Sequence, residues 1–89
     1  MFIGKVVGRI VATKKEPKLK GTKLLVIQPL NMNGKPDGKH LVALDTVDAG
    51  YKETVLIVTG SSARMASNFS NTPVDAAIIG IVDSINLDK

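Results

Sequence analysis

"MFIGKVVGRIVA", Met1–Ala12, decides the fold, because two periodicities compete within it. Ile3, Val6, Val7, Ile10 and Val11 match the helical spacing i, i+3, i+4, i+7, i+8. These residues are β-branched, however, and Gly4 and Gly8 would both fall inside the helix, where backbone entropy opposes them. Read as a strand, Phe2, Val6 and Ile10 share one face with Gly4, Gly8 and Ala12. Glycines alternating with large residues on one face suit a strongly bent strand, as at the corner of a small barrel. The stretch is therefore read as a strand.

Working outward, "KKEPKLKG" (14–21) is a polar connection broken by a proline, and "TKLLVIQPL" (22–30) is a second strand with Pro29 near its exit. Asn33-Gly34 and Asp37-Gly38 are turn dipeptides, so residues 22–47 form a hairpin with a long tip and a return strand "KHLVALDTV" (39–47). "DAGYK" (48–52) turns the chain into a fourth strand, "ETVLIVTG" (53–60). Ser61 or Ser62 caps a short helix through Ala63, Arg64, Met65 and Ala66. "VDAAIIGIVDSINL" (74–87) is a long last strand, with Gly80 at a bend or bulge. Five strands with one short helix before the last of them make an all-β chain, a small OB-like barrel occupying residues 1–89 as a single domain.

The chain has 89 residues and no cysteine, so neither disulfides nor thiolate–metal sites supplement its core. A domain of this size buries only about 60–65% of its unfolded surface. "LLVI" (24–27), "VLIV" (55–58) and "AAIIGIV" (76–82) are apolar on both faces, where a half-buried strand alternates. Apolar area on the outer wall of a barrel marks a subunit interface, so an oligomer is expected. The N-terminal run is interrupted by Lys5 and Arg9, and no stretch reaches the 18 or so apolar residues of a membrane span. A chain working in the cytoplasm, with no membrane partner, is the expectation.

The net charge is +4, with Lys14, Lys15, Lys18, Lys20 and Lys23 falling within ten residues, in and just after one loop, opposed only by Glu16. That loop reads as a solvated run, or as a patch for an acidic partner or nucleic acid. Single-strand binding by an OB barrel uses aromatic platforms in its strands. Here the aromatics are Phe2, Tyr51 and Phe69, none of them in the middle of a strand. Nucleic-acid binding is thus the alternative reading, weak and electrostatic. Gly60-Ser61-Ser62-Ala63-Arg64 is neither a nucleophile elbow, since Arg64 takes the last glycine's place, nor a phosphate-binding P-loop. His40 is the one histidine, and Asp45, Asp48, Asp75 and Asp83 show no ligand spacing. No catalytic, cofactor-binding or metal-binding residue is assigned.

Three pieces of the sequence carry a family resemblance: "GKVVGRIVATKKEPKLKGTKLLVIQPL", "ALDTVDAGYKETVLIVTGSSARMA" and "NTPVDAAIIGIVDSI". In this order and spacing the chain resembles the EutN/CcmL family, the pentameric vertex proteins of bacterial microcompartment shells, carboxysomes and metabolosomes alike. The resemblance implies a homopentamer that plugs a shell vertex against hexameric shell proteins. It also places Gly60, Ser61 and Ser62 near the fivefold axis, with the two serines lining a narrow opening and Ala63 and Arg64 completing the corner. The central turn departs from the family pattern, which usually has glycines where this chain has Asp48 and Lys52.

Overall fold

The computed structural model describes residues 1–12, 21–60, 63 and 75–88. Five strands run in chain order: β1 (Phe2–Ile10), β2 (Lys23–Leu30), β3 (Leu41–Asp45), β4 (Thr54–Thr59) and β5 (Ala76–Ile81). They close into a barrel in the order β1-β2-β3-β5-β4, antiparallel throughout except for the parallel β3–β5 pair. Closure removes the free sheet edges that would otherwise template aggregation.

The register explains which residues fill the barrel. Leu25 and Ile27 on β2 face inward, and Ile27, Ile57, Ile78, Val6 and Val55 are the largest fully buried side chains. Gly4 lies where β1 crosses closest to this filling. A Cβ there would stand inside the van der Waals envelope of Ile27 Cγ2 and only 3.0 Å from Ile57 Cδ1. The absent side chain is what lets β1 bend across the core.

A bulge between Val6 and Gly8 changes the facing of β1 part-way along. Val6 pairs with inward Ile27, but Gly8 pairs with Val26, which alternates outward. The single face expected for Phe2, Val6, Gly8 and Ile10 therefore ends at Val6, and Ile10 is 40% exposed. The extra residue also turns Arg9 to the side of Leu25, its pairing partner at the barrel's mouth. A second bulge, between Leu56 and Ile57, leaves Ile79 without a partner on β4 and puts Gly80 opposite Leu56, as Gly80 predicts.

The last strand is shorter than its sequence suggests. β5 (Ala76–Ile81) ends at Ile81 rather than at 87, because its neighbour β4 begins at Thr54; Val74, the expected start, lies outside the described residues. The Val82 N–H donates to the Thr54 carbonyl at 2.8 Å, and beyond that point no strand remains to pair with. Residues 83–88 are exposed and make no backbone hydrogen bond among the described residues.

The apolar outer faces also prove to be partly covered by the chain itself. Leu44, Val58 and Ala77 face away from the barrel interior yet are buried, packed with Ala63 into a second cluster flanked by Leu24 and Ile79. Apolar runs on β3, β4 and β5 thus serve two cores within one subunit, which accounts for part of the pattern read as an interface. Ile10 and Val42 on this outer side remain exposed.

Candidate assembly site

The corner after β4 is built around a left-handed residue. Gly60 has φ 66°, a region in which side chains other than glycine are strained. Its N–H donates to the Asp75 carbonyl at 2.8 Å, which ties the end of β4 to the approach of β5. The Ala63 N–H donates to the Gly60 carbonyl at 3.1 Å, and Ala63 takes helical backbone. Ala63 is fully buried against Leu44, Val58 and Ala77, so a small residue at this position is required by packing inside the subunit. Ser61, Ser62 and Arg64, and the rest of the expected helix, lie outside the described residues.

The second built feature is the turn from β3 to β4, which composition and motif reading passed over. The Asp45 side chain is only 1% exposed. Its carboxylate accepts the Val47 N–H at 3.1 Å and the Ala49 N–H at 2.9 Å, and Lys23 Nζ stands 3.5 Å away. Lys23 Nζ donates to the Ala49 carbonyl at 2.8 Å and to the exposed Asp48 carboxylate at 3.1 Å. The hydrogen bond to Asp48 is the main reason the Lys23 pKa is raised above its ordinary value; desolvation opposes it, and the charges of Asp48 and Asp45 add to it. Glu53 closes the turn by accepting the Gly50 N–H on Oε1. An aspartate accepting the amide two residues on is a recognisable turn device, and Asp45-Thr46-Val47 was the available signal.

Backbone ladders continue from β1 into this turn. The Lys52 N–H donates to the Val6 carbonyl at 2.8 Å, and the Val6 N–H donates to the Glu53 carbonyl at 3.0 Å. Asp48 and Lys52 both have positive φ, 58° and 71°. Both stand in the left-handed region that favours glycine.

Between this turn and the second half of β1, past its last pairing with β4 at Lys5, the barrel opens into a groove of about 260 Å³. Val6, Leu25 and Ala49 form its apolar floor, with Arg9 and Tyr51 at the rim. Phe2 packs against the barrel core and Tyr51 stands in the turn, so the described aromatics make no stacking platform on the sheet. His40 is exposed just before β3, and the described residues contain no cluster of His, Asp or Glu arranged to hold a metal. No helix among them is long and apolar enough to cross a membrane.

Residues 1–83 match the model of the family described as ethanolamine utilisation protein EutN/carboxysome. The chain belongs to the EutN/CcmL family. It is 46% identical over 85 residues to the bacterial microcompartment shell vertex protein GrpN of Rhodospirillum rubrum, covering 96% of each chain. It is 47% identical over 89 residues to the carboxysome shell vertex protein CcmL of Synechococcus elongatus, covering all of this chain and 90% of that one. Among solved structures, the GrpN pentameric microcompartment shell protein superposes with a TM-score of 0.90 at 45% identity, covering 99% of this chain and all of that one.

Proposed function

We propose that this chain is a structural vertex protein of a bacterial microcompartment shell, five copies of which form a closed ring. It is not an enzyme; the family's members are shell proteins. The observation that carries the pentamer is the match to the pentameric GrpN structure over essentially the whole of both chains. A head-to-tail contact repeated about a fivefold axis closes on itself and needs two different patches per subunit. Ile10 and Val42, exposed on the outer wall, supply apolar area for such contacts.

In the ring, residues 1–89 act as one barrel domain. Gly60, Ser61 and Ser62 stand near the axis, Ser61 and Ser62 line the opening, and Ala63 and Arg64 complete the corner. The sides of the ring meet hexameric shell proteins, and the shell lies in the bacterial cytoplasm. Native mass spectrometry at micromolar concentration tests the reading: the expected species is five times the chain mass. A monomer, or a dimer with nothing larger, overturns it. Ser62→Glu, which would set five like charges around the axis, is expected to weaken the ring more than Lys18→Glu in the lysine loop.

A further inference from the structure

Two features of the described structure remain without a use inside one subunit. The first is the mouth groove, whose floor of Val6, Leu25 and Ala49 is at most 3% exposed and whose rim carries the exposed Arg9 and Tyr51. Arg9 has no ion pair among the described residues, and Lys52 holds its ammonium 5.6 Å from the centre of the Tyr51 ring. The groove therefore has an apolar base and a cationic border. Mouths of small barrels are preferred binding positions for this reason.

The second feature is the arm, residues 83–88, "DSINLD". Ile85 and Leu87 are 39% and 54% exposed, two residues apart, and Asp83 and Asp88 bracket them. No cation lies within the arm. Its first residues line a shallow cleft with Met32, Asn33 and Gly34, and none of its residues lines the mouth groove of its own subunit. Six residues extended span about 20 Å, close to the 21 and 23 Å short dimensions of the molecule. The arm is long enough to leave one barrel and reach the next.

We infer that the mouth groove of each copy receives the arm of the neighbouring copy. This rests on the ring proposed above and names the contact that links its members. Leu87 lies against the exposed Tyr51 ring at the rim of the groove, and the Asp83 and Asp88 carboxylates face the Arg9 guanidinium and the Lys52 ammonium. The unused backbone amides of the arm gain partners at the same time, as in strand-addition recognition. One copy offers the arm and the other the groove, which is the two-patch contact that a closed ring requires.

The cysteine-free chain makes the test direct. The double variant Tyr51→Cys/Leu87→Cys is oxidised at micromolar concentration and run on a denaturing, non-reducing gel. Bands of two to five linked chains are expected. A linked species confined to single-chain mass places the arm in its own groove and overturns the inference. Free thiols in a variant that native mass spectrometry shows to be pentameric also overturn it, while leaving the ring intact. A wild-type chain that is monomeric refutes the ring itself, and the inference with it. As a second reading, Arg9→Glu should raise the dissociation concentration of the ring at least tenfold, and adding Asp88→Arg should restore it at least in part. Arg9 is exposed, so the folded subunit survives the change; an unaltered dissociation concentration in Arg9→Glu refutes the charge pairing.

Discussion

Replacing Asp45 by alanine removes the carboxylate that organises the β3–β4 turn, and the structure sets the scale of the loss. Two backbone amides donate to that carboxylate, from Val47 and from Ala49, and Ala49 is fully buried. Hydrogen bonds to a charged acceptor contribute about 1.5–3 kcal/mol each, and a buried amide left without a partner adds to the loss. Asp45→Ala is therefore expected to destabilise the fold by about 3–5 kcal/mol, a large part of the roughly 4–13 kcal/mol expected for a chain of this length. At the lower figure the midpoint of thermal unfolding falls by about 12–24 °C. Asp48→Asn is the control: this carboxylate is 96% exposed, and its pair with Lys23 is a surface ion pair. Asparagine also tolerates positive φ, so the change should stay within about 1 kcal/mol. Both variants are compared with wild type by thermal and urea unfolding at one fixed protein concentration, because subunit dissociation shifts the midpoint. Equal effects of the two substitutions, or a loss below about 1 kcal/mol for Asp45→Ala, would refute the reasoning.

Three further expectations follow from the same coordinates. Gly4→Ala drives a methyl group into Ile27 and Ile57 and should cost about 2–3 kcal/mol in urea unfolding, whereas Gly60→Ala has open space and loses only about 1 kcal/mol to its positive φ. Because the Lys23 pKa is raised in the folded state, its contribution to stability is complete below the ordinary lysine value and is lost as pH rises through the folded value. The stability gap between wild type and Lys23→Met, measured from about pH 9 to pH 11.5, should therefore narrow at the alkaline end. Fluorescence-anisotropy titration with single-stranded oligonucleotides should show no binding at physiological salt; submicromolar affinity there would restore the nucleic-acid reading.

The strands were legible in the sequence where local pattern and pairing agree. β2 and β4 stand close to where their apolar runs place them, and Asn33-Gly34 gives a turn in which the Gly34 N–H donates to the Asn31 carbonyl at 3.0 Å. What the sequence did not disclose depends on partners remote along the chain. The Val6–Gly8 bulge turns Arg9 toward the barrel mouth, and no periodicity within β1 announces a change of face. Likewise "VDSINL" continues an apolar alternation past Ile81, but β4 supplies no residue beyond Thr54 to receive it. The family resemblance ties the corner at Gly60 to the fivefold axis, a requirement between chains. For Ala63 the requirement lies within the subunit, under Leu44 and Val58.

Asp48 and Lys52 show how a turn keeps its shape when two glycine-preferring positions carry side chains. A residue with φ near +60° and a Cβ is strained by about 1–2 kcal/mol, less for aspartate, which samples that region more readily. Such strain persists only where surrounding bonds over-determine the backbone. Here they do so from both sides. Upstream, Asp45 binds the amides of Val47 and Ala49 while Lys23 grips the Ala49 carbonyl, so Asp48 is held between two fixed residues. Downstream, Lys52 is pinned through its own N–H to Val6, and Glu53 fixes both Gly50 and Val6. The side chains then face outward, Asp48 toward Lys23 and Lys52 over Tyr51. Glycine at either position would relieve strain, but it would also remove a side-chain partner, Asp48 from Lys23 or Lys52 from the Tyr51 ring.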